Sequence, residues 1–290
     1  MMDVDGLNGA FASAGVTFEE FHGFPAARLS GEFGGALVSL YGGHVVEYTL
    51  PDSEPVLWMS GKSLFAAGSP IRGGVPVCFP WFGPAPEGKS GSHGFVRTAM
   101  WEVAAAGMAP EGGVFVTLNF RSELFELFYT VTLGRMLTLS LEIENHSAEE
   151  FRFGGALHTY FNVSDAERIA VEGLDGLSYL DKVIGGGGIQ RGALVIDREI
   201  DRIFDGCGSV RIVDPGFRRE ILIDKSGSDS TVVWNPWIDK SKRMADFGDD
   251  EYHTMVCVEA ARVPAAGDEG IVPPGASVEL RQVIRVSPLA

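Results

Sequence analysis

Met136-Leu137-Thr138-Leu139-Ser140-Leu141-Glu142-Ile143-Glu144 is the stretch whose reading decides the fold class. Leu137, Leu139, Leu141 and Ile143 fall on one side of an extended chain, and Thr138, Ser140, Glu142 and Glu144 on the other. Successive side chains of a strand point to opposite faces, so this period of two predicts a strand with one face buried. Asn145-His146-Ser147 then reads as a turn. Before it, residues 114–120 and 128–133 are rich in β-branched and aromatic side chains, the composition of neighbouring strands. Further strands are predicted at residues 35–40, 45–50, 211–213, 231–234, 255–260 and 277–286. In the last of these Val278, Leu280, Gln282 and Ile284 alternate with Glu279, Arg281, Val283 and Arg285.

Helix-period segments are scarce and Gly is abundant, at 38 residues, which points to many short strands joined by turns. Residues 238–247 could form two helical turns, with Asp239 near the start and Gly248 just beyond the end. Gly185-Gly186-Gly187-Gly188 reads as a flexible loop, too short to separate domains. The expected architecture is all-β: one domain over residues 1–290, a large sandwich of two antiparallel sheets packed face to face, with few short helices.

A chain of 290 residues buries roughly 75% of its unfolded surface, so a large core is available. Hydrophobic residues at 45% and charged residues at 21% exclude wholesale disorder. Asp and Glu number 39 against 23 Lys and Arg, a net charge of −16. So acidic a chain is not expected to bind nucleic acid or anionic membrane. An anionic small molecule remains open, because a few Arg can make a local positive pocket. Cys78, Cys207 and Cys257 are too few and too far apart for a disulfide framework; Cys78 and Cys257, in apolar surroundings, read as small buried hydrophobes. The first five residues, Met1-Met2-Asp3-Val4-Asp5, are acidic where a secretion signal would be basic, and no stretch reaches the ~18 apolar residues of a membrane helix. The expected location is the cytoplasm.

Four segments break the strand pattern in ways a core does not require. Residues 71–84, Ile-Arg-Gly-Gly-Val-Pro-Val-Cys-Phe-Pro-Trp-Phe-Gly-Pro, hold three Pro and three Gly and cannot form a central strand. They carry one cation, Arg72, beside Trp81 and Phe82, flat surfaces and a planar guanidinium that suit a sugar face and an oxyanion. The plainer alternative is a packed loop whose Arg72 pairs with a carboxylate. In residues 92–97, His93 and Arg97 flank Gly94, which would let the backbone approach a ligand closely. In residues 154–162, His158 interrupts an apolar and aromatic run, either as a core histidine with a backbone partner or as an acid with a tuned pKa. In residues 254–261, Glu259 follows four uncharged residues and precedes two alanines; a carboxylate in such a strand is paired or functional. Asp201-Arg202, within residues 200–204, and Trp234-Asn235-Pro236-Trp237 are lesser cases, the tryptophans reading mainly as packing.

No phosphate-binding Gly-Lys-Ser/Thr loop, nucleophile elbow or zinc-protease motif is present. His93, His158, Asp201 and Glu259 are spaced too widely to form a metal-ligand signature, so no metal is expected.

In order along the chain, Ile71-Arg72-Gly73-Gly74 to Trp81-Phe82-Gly83-Pro84, His93-Gly94-Phe95-Val96-Arg97, Leu157-His158-Thr159-Tyr160-Phe161, Val233-Trp234-Asn235-Pro236-Trp237 and Cys257-Val258-Glu259 resemble the glucose-6-phosphate 1-epimerases of the aldose 1-epimerase superfamily. The resemblance implies a galactose-mutarotase-like sandwich, no cofactor, a small sugar phosphate as partner and a monomer. It implies His158 as catalytic acid and Glu259 as catalytic base, with Arg72, His93, Arg97 and Asp201 around the substrate. Ser92 stands where relatives often carry Gln, which puts a contact there in question. Two other functions fit the same residues: an epimerase of unphosphorylated aldoses, and a non-catalytic carbohydrate-binding sandwich that needs the aromatics and Arg72 but no acid–base pair.

Overall fold

The computed structural model describes residues 2–289. The strand Leu137–Asn145 lies where its alternation requires: Leu137, Leu139, Leu141 and Ile143 are fully buried, while Thr138, Ser140, Glu142 and Glu144 face outward. It is the fifth strand of an antiparallel sheet of eight, ordered Ala170–Glu172, Val210–Asp214, Arg219–Ser226, Ser277–Pro288, Leu137–Asn145, Phe125–Leu133, Val114–Arg121 and Glu102–Met108. A second sheet of eight runs Gly187–Ile189, Ser178–Asp181, Ile200–Asp205, Ser230–Asn235, Met255–Arg262, Gly155–Leu157 and Val77–Cys78, with Tyr160–Asn162 also paired to Met255–Arg262. The inner faces of the two sheets meet in one apolar core that includes Leu139, Leu141, Val256, Val258, Leu157 and Phe161. At about 1.5–3 kcal/mol for each such side chain taken from water, this face-to-face burial dominates the fold's stability.

A third sheet of four, Val16–Phe21, Phe24–Gly31, Gly34–Ser39 and His44–Thr49, extends the sandwich at one side. The helix Val4–Phe11 packs beside it, its first turn capped by the Asp3 carboxylate, which accepts from Gly6 N at 2.9 Å. A two-stranded ribbon pairs Phe151–Phe153 with Gly270–Val272. Among the described residues no helix is long and apolar enough to cross a membrane.

The expected antiparallel all-β sandwich is therefore the observed fold. Two local expectations need correction. The helix predicted over residues 238–247 is only Trp237–Ser241; beyond it the chain continues as single turns closed by Met244 N to Ser241 O (3.2 Å) and Phe247 N to Met244 O (3.2 Å). Tertiary packing overrides helix propensity there, because Phe247 is drawn fully into an aromatic cluster with Trp58, Tyr160 and Trp234. The four-glycine loop is half strand: Gly185 and Gly186 make the turn, with positive φ, while Gly187 and Gly188 pair with Ser178–Asp181 as an edge strand. The Pro- and Gly-rich stretch behaves as read: it contributes only Val77–Cys78, at the sheet's edge.

Candidate active site

The strand Met255–Arg262 organises the site. Both of its faces are covered, so it reads as a continuous apolar run rather than an alternation. Val256, Val258 and Ala260 face the sandwich core, while Cys257, Glu259 and Ala261 face the outer side of the sheet. Beside it, Gly155–Leu157 and Tyr160–Asn162 are one line of chain interrupted at His158 and Thr159. Leu157 pairs with Ala260 and Tyr160 with Cys257, so two residues are spanned on each strand and the register survives the break. His158 therefore stands opposite Glu259, on the outer face, as a cross-strand pair.

Their side chains meet at the floor of a cavity of about 420 Å³, with His158 Nε2 3.4 Å from Glu259 Oε1. His158 is 9% exposed and Glu259 1%. His158 Nδ1 and Glu259 Oε2 have no partner in the protein, which leaves one unsatisfied nitrogen and one unsatisfied oxygen at a cavity wall. Burial, followed by the charge of Asp201, pushes the Glu259 carboxyl well above the ordinary carboxylate range. Burial, then the nearby His93, Arg72 and Arg97, pushes the His158 imidazole well below 6.5. Both shifts run toward the neutral form of each group.

Tyr160 stacks on the His158 ring with centroids 4.8 Å apart and planes at 12°, and Trp234 meets it edge-on at 6.2 Å. Arg72 holds that stack from behind: Nη1 donates to the Tyr160 hydroxyl at 2.9 Å and Nε to Asp246 at 3.1 Å. The carboxylate partner foreseen for a purely structural Arg72 exists, yet Arg72 also lines the cavity. His93 lines it as well, with φ of 61°; burial and the cations Arg97, Lys182 and Arg72 bring its pKa down to about 3, so it is neutral. Arg97 Nη2 donates to the Ser92 carbonyl at 2.7 Å, and the Ser92 hydroxyl lies within 3.4 Å of the same nitrogen, the short side chain reaching Arg97. Asp201 accepts from Lys182 Nζ at 3.1 Å, and Lys240 Nζ lies 3.9 Å away.

All six residues singled out in the sequence, Arg72, His93, Arg97, His158, Asp201 and Glu259, line this one cavity. Three other readings change. Gly94 serves the fold, not a ligand: a Cβ there would collide with the Phe79 carbonyl, so the chain turns tightly against its own backbone. Of the two aromatics in the loop, Phe82 lines the cavity, whereas Trp81 packs against Phe95. Trp234 is a cavity wall rather than simple packing, while Trp237 packs on Tyr252.

Sequence reading missed Tyr160, Lys182, Lys240 and Asp246. Tyr160 was visible, two residues from His158; Lys182 sits in a turn, Lys240 in the short helix Trp237–Ser241 and Asp246 in the turns beyond it, and none of the three carries a local signal. With the lysines included, four cations (Arg72, Arg97, Lys182 and Lys240) line the cavity in a protein of net charge −16; Asp246, Asp201 and Glu199 pair with Arg72, Lys182 and Lys240, and Arg97 has no carboxylate partner among the described residues. The cavity is a positive well in an acidic molecule.

His158, Cys257 and Glu259 present ligand atoms within 4.8 Å of one another, the donor set of a soft divalent ion. Burial and Glu259 hold the Cys257 thiol protonated, among Trp58, Tyr160 and Trp234, and against metal binding. Cys78 is likewise buried, its thiol pushed up to about 12. A larger groove, about 630 Å³, runs past Arg262, whose Nη1 already contacts Asp229 and Asp268 at 2.6 Å each.

Comparison with known proteins gives the family. The aldose 1-epimerase family model matches residues 27–285. A Cenchrus ciliaris protein provisionally named glucose-6-phosphate 1-epimerase is 35% identical over 248 residues, covering 79% of this chain and 75% of its own. An Escherichia coli protein of the same provisional name is 33% identical, covering 78% and 79%. The crystal structure of YeaD from Salmonella typhimurium, provisionally described as a mutarotase, superposes with a TM-score of 0.87 at 28% identity over 95% of each chain. A match across nearly the whole chain, with a sandwich fold of the same kind, makes this protein a member of the aldose 1-epimerase family, isomerases of the anomeric centre of sugars.

Proposed function

We propose that the chain interconverts the α and β anomers of a hexose 6-phosphate, glucose 6-phosphate first, with His158 and Glu259 as the proton-transfer pair. The contact between them, 3.4 Å at the cavity floor, carries this reading. The ring oxygen O5 and the hydroxyl O1 of a cyclic aldose are bonded to one carbon. A donor and an acceptor side by side therefore reach both without standing on opposite sides of the sugar.

The proton balance closes over one cycle. Imidazolium His158 gives its proton to O5 as carboxylate Glu259 takes the proton of O1; the C1–O5 bond breaks and the aldehyde forms. The pair is now neutral imidazole and protonated carboxyl, the form burial favours in the empty site. After rotation about C1–C2, Glu259 returns a proton to O1, His158 removes one from O5, and the ring closes on the other face. Each transfer group typically contributes ~10²–10⁴-fold.

One proton must be present on the pair, neither two nor none. Anomer exchange should therefore follow a bell-shaped pH profile belonging to the pair as a unit. Because His158 is pushed below 6.5 and Glu259 above the carboxylate range, the acid limb should fall below the pH at which a free imidazole titrates. An acid limb at or above the ordinary imidazole pKa would contradict the neutral pair.

The positive well supports the phosphate. Arg97, with one nitrogen engaged by Ser92, is the first candidate for the phosphate oxygens, with Lys182 and Lys240 completing the site. Arg72, committed to Asp246 and Tyr160, contacts sugar oxygens with what remains of its fork. His93 and Asp201 bind hydroxyls. Charge-assisted hydrogen bonds are worth ~1.5–3 kcal/mol each, so Arg97→Ala should cost roughly 10- to 100-fold in kcat/KM on glucose 6-phosphate. On free glucose it should cost much less. Polarimetry on both sugars decides this: equal losses remove Arg97 from phosphate recognition, and equal wild-type rates turn the reading to unphosphorylated aldoses. A sugar phosphate substrate fits a cytoplasmic location.

A further inference from the structure

We propose that Gln282 and Thr159 are positioning residues that hold His158 opposite Glu259, sealing the strand break from the far sheet; this rests on the pair being the acid and base. Gln282 belongs to Ser277–Pro288, in the sheet opposite the site. It occupies a core-facing position between Leu280 and Ile284 and is fully buried, a polar amide where alternation calls for an apolar side chain.

The break explains its presence. Thr159 and Val258 are the second pair spanned by the interruption, and Val258 N still donates to Thr159 O at 3.2 Å. In an antiparallel ladder Thr159 N would return a bond to Val258 O. Instead Thr159 N turns back to Leu157 O at 3.0 Å, which tilts His158 out of the ladder and leaves the Val258 carbonyl without its strand donor. Gln282 Nε2 supplies that donor from across the sandwich, at 3.1 Å. The Thr159 hydroxyl in turn donates to Gln282 Oε1. One amide thus bonds both residues of the pair adjoining His158 and Glu259, each of which is one residue away along its own strand. All three groups are buried, so water cannot substitute.

Removing the tie should misplace the acid against the base without touching the substrate. Thr159→Val keeps shape and removes only the hydroxyl; Gln282→Met keeps length and removes the amide; Thr159→Ser keeps the hydroxyl. Misplacement of about 1 Å can cost about 10²-fold, so Thr159→Val and Gln282→Met should lower kcat roughly 10- to 100-fold. KM for glucose 6-phosphate should stay within about twofold, the pH profile should shift, and Thr159→Ser should restore kcat. Circular dichroism confirms folding of each variant. Unchanged kcat and pH profile in folded Thr159→Val overturn the proposal, as does a rise in KM with kcat unchanged. If Glu259→Gln and His158→Ala remain active in the same assay, the acid–base reading itself fails; if they are inactive while Thr159→Val is normal, only the positioning role does.

Discussion

Glu259→Gln should abolish anomer exchange, lowering kcat by roughly 10²–10⁴-fold while the protein folds and binds sugar phosphate normally. The carboxamide is nearly isosteric, and it matches the protonated carboxyl that burial favours in the empty site. The substitution leaves no buried charge to satisfy, so thermal stability should hold or rise. What disappears is the capacity to take the O1 proton at opening and to return it at closure. Exchange spectroscopy by NMR on glucose 6-phosphate reads the rate at equilibrium, with no coupled enzyme. Exchange within a few-fold of wild type in a folded variant would remove Glu259 from the reaction.

His158→Ala should be comparably severe, for the complementary reason. Without the imidazole the pair has lost its acid, and the neighbouring His93, with a pKa brought down to about 3 by burial and three cations, is a poor replacement. The void left between Tyr160 and Glu259 opens onto the cavity, so added imidazole should recover part of the rate, with a pH dependence set by the added base. The variant combining His158→Ala with Glu259→Gln should be little worse than either alone, since two halves of one proton relay do not contribute additively. A double variant whose loss equals the product of the single losses would show that the two act independently, against a shared proton.

The site is economical in what it asks of the fold. One strand break with its register preserved turns two neighbours in a ladder, His158 and Glu259, into a pair at a cavity floor. Aromatic stacking by Tyr160, itself held by Arg72 and Asp246, sets the plane of the imidazole. The cations at the cavity come from loops, turns and the short helix Trp237–Ser241, segments that can vary without disturbing the sheet.

How much of this is legible without coordinates depends on the range of the interactions concerned. Alternation along residues 136–144 specified a strand and its buried face, because strand geometry repeats every two residues and water removal selects the apolar side. The isolated polar residues His158 and Glu259 in apolar runs stand out as candidates, because an unexplained buried polar group is costly. The helix over residues 238–247 was misread because local periodicity could not foresee the burial of Phe247 against Trp58, 189 positions away in sequence by the residue numbers. Trp81 and Trp234 exchanged roles for a similar reason: a side chain's propensity is local, but which wall it joins depends on the strand beside it. Gln282 passes in the sequence as one more member of an alternating strand, because its partners Thr159 and Val258 lie across the sandwich, at the strand break and in the second sheet.

By itself the sequence determined the strongly alternating strands, their inward faces and six polar residues that stand out as candidates. Short-range sterics and the expulsion of water act within a few residues. Tertiary structure alone decided that His158 meets Glu259, that Lys182 and Lys240 join Arg97 in one positive well, and that an amide from the opposite sheet closes the break behind them. Those depend on register and layer packing, which bring together groups about a hundred residues apart and leave no periodic trace in the chain.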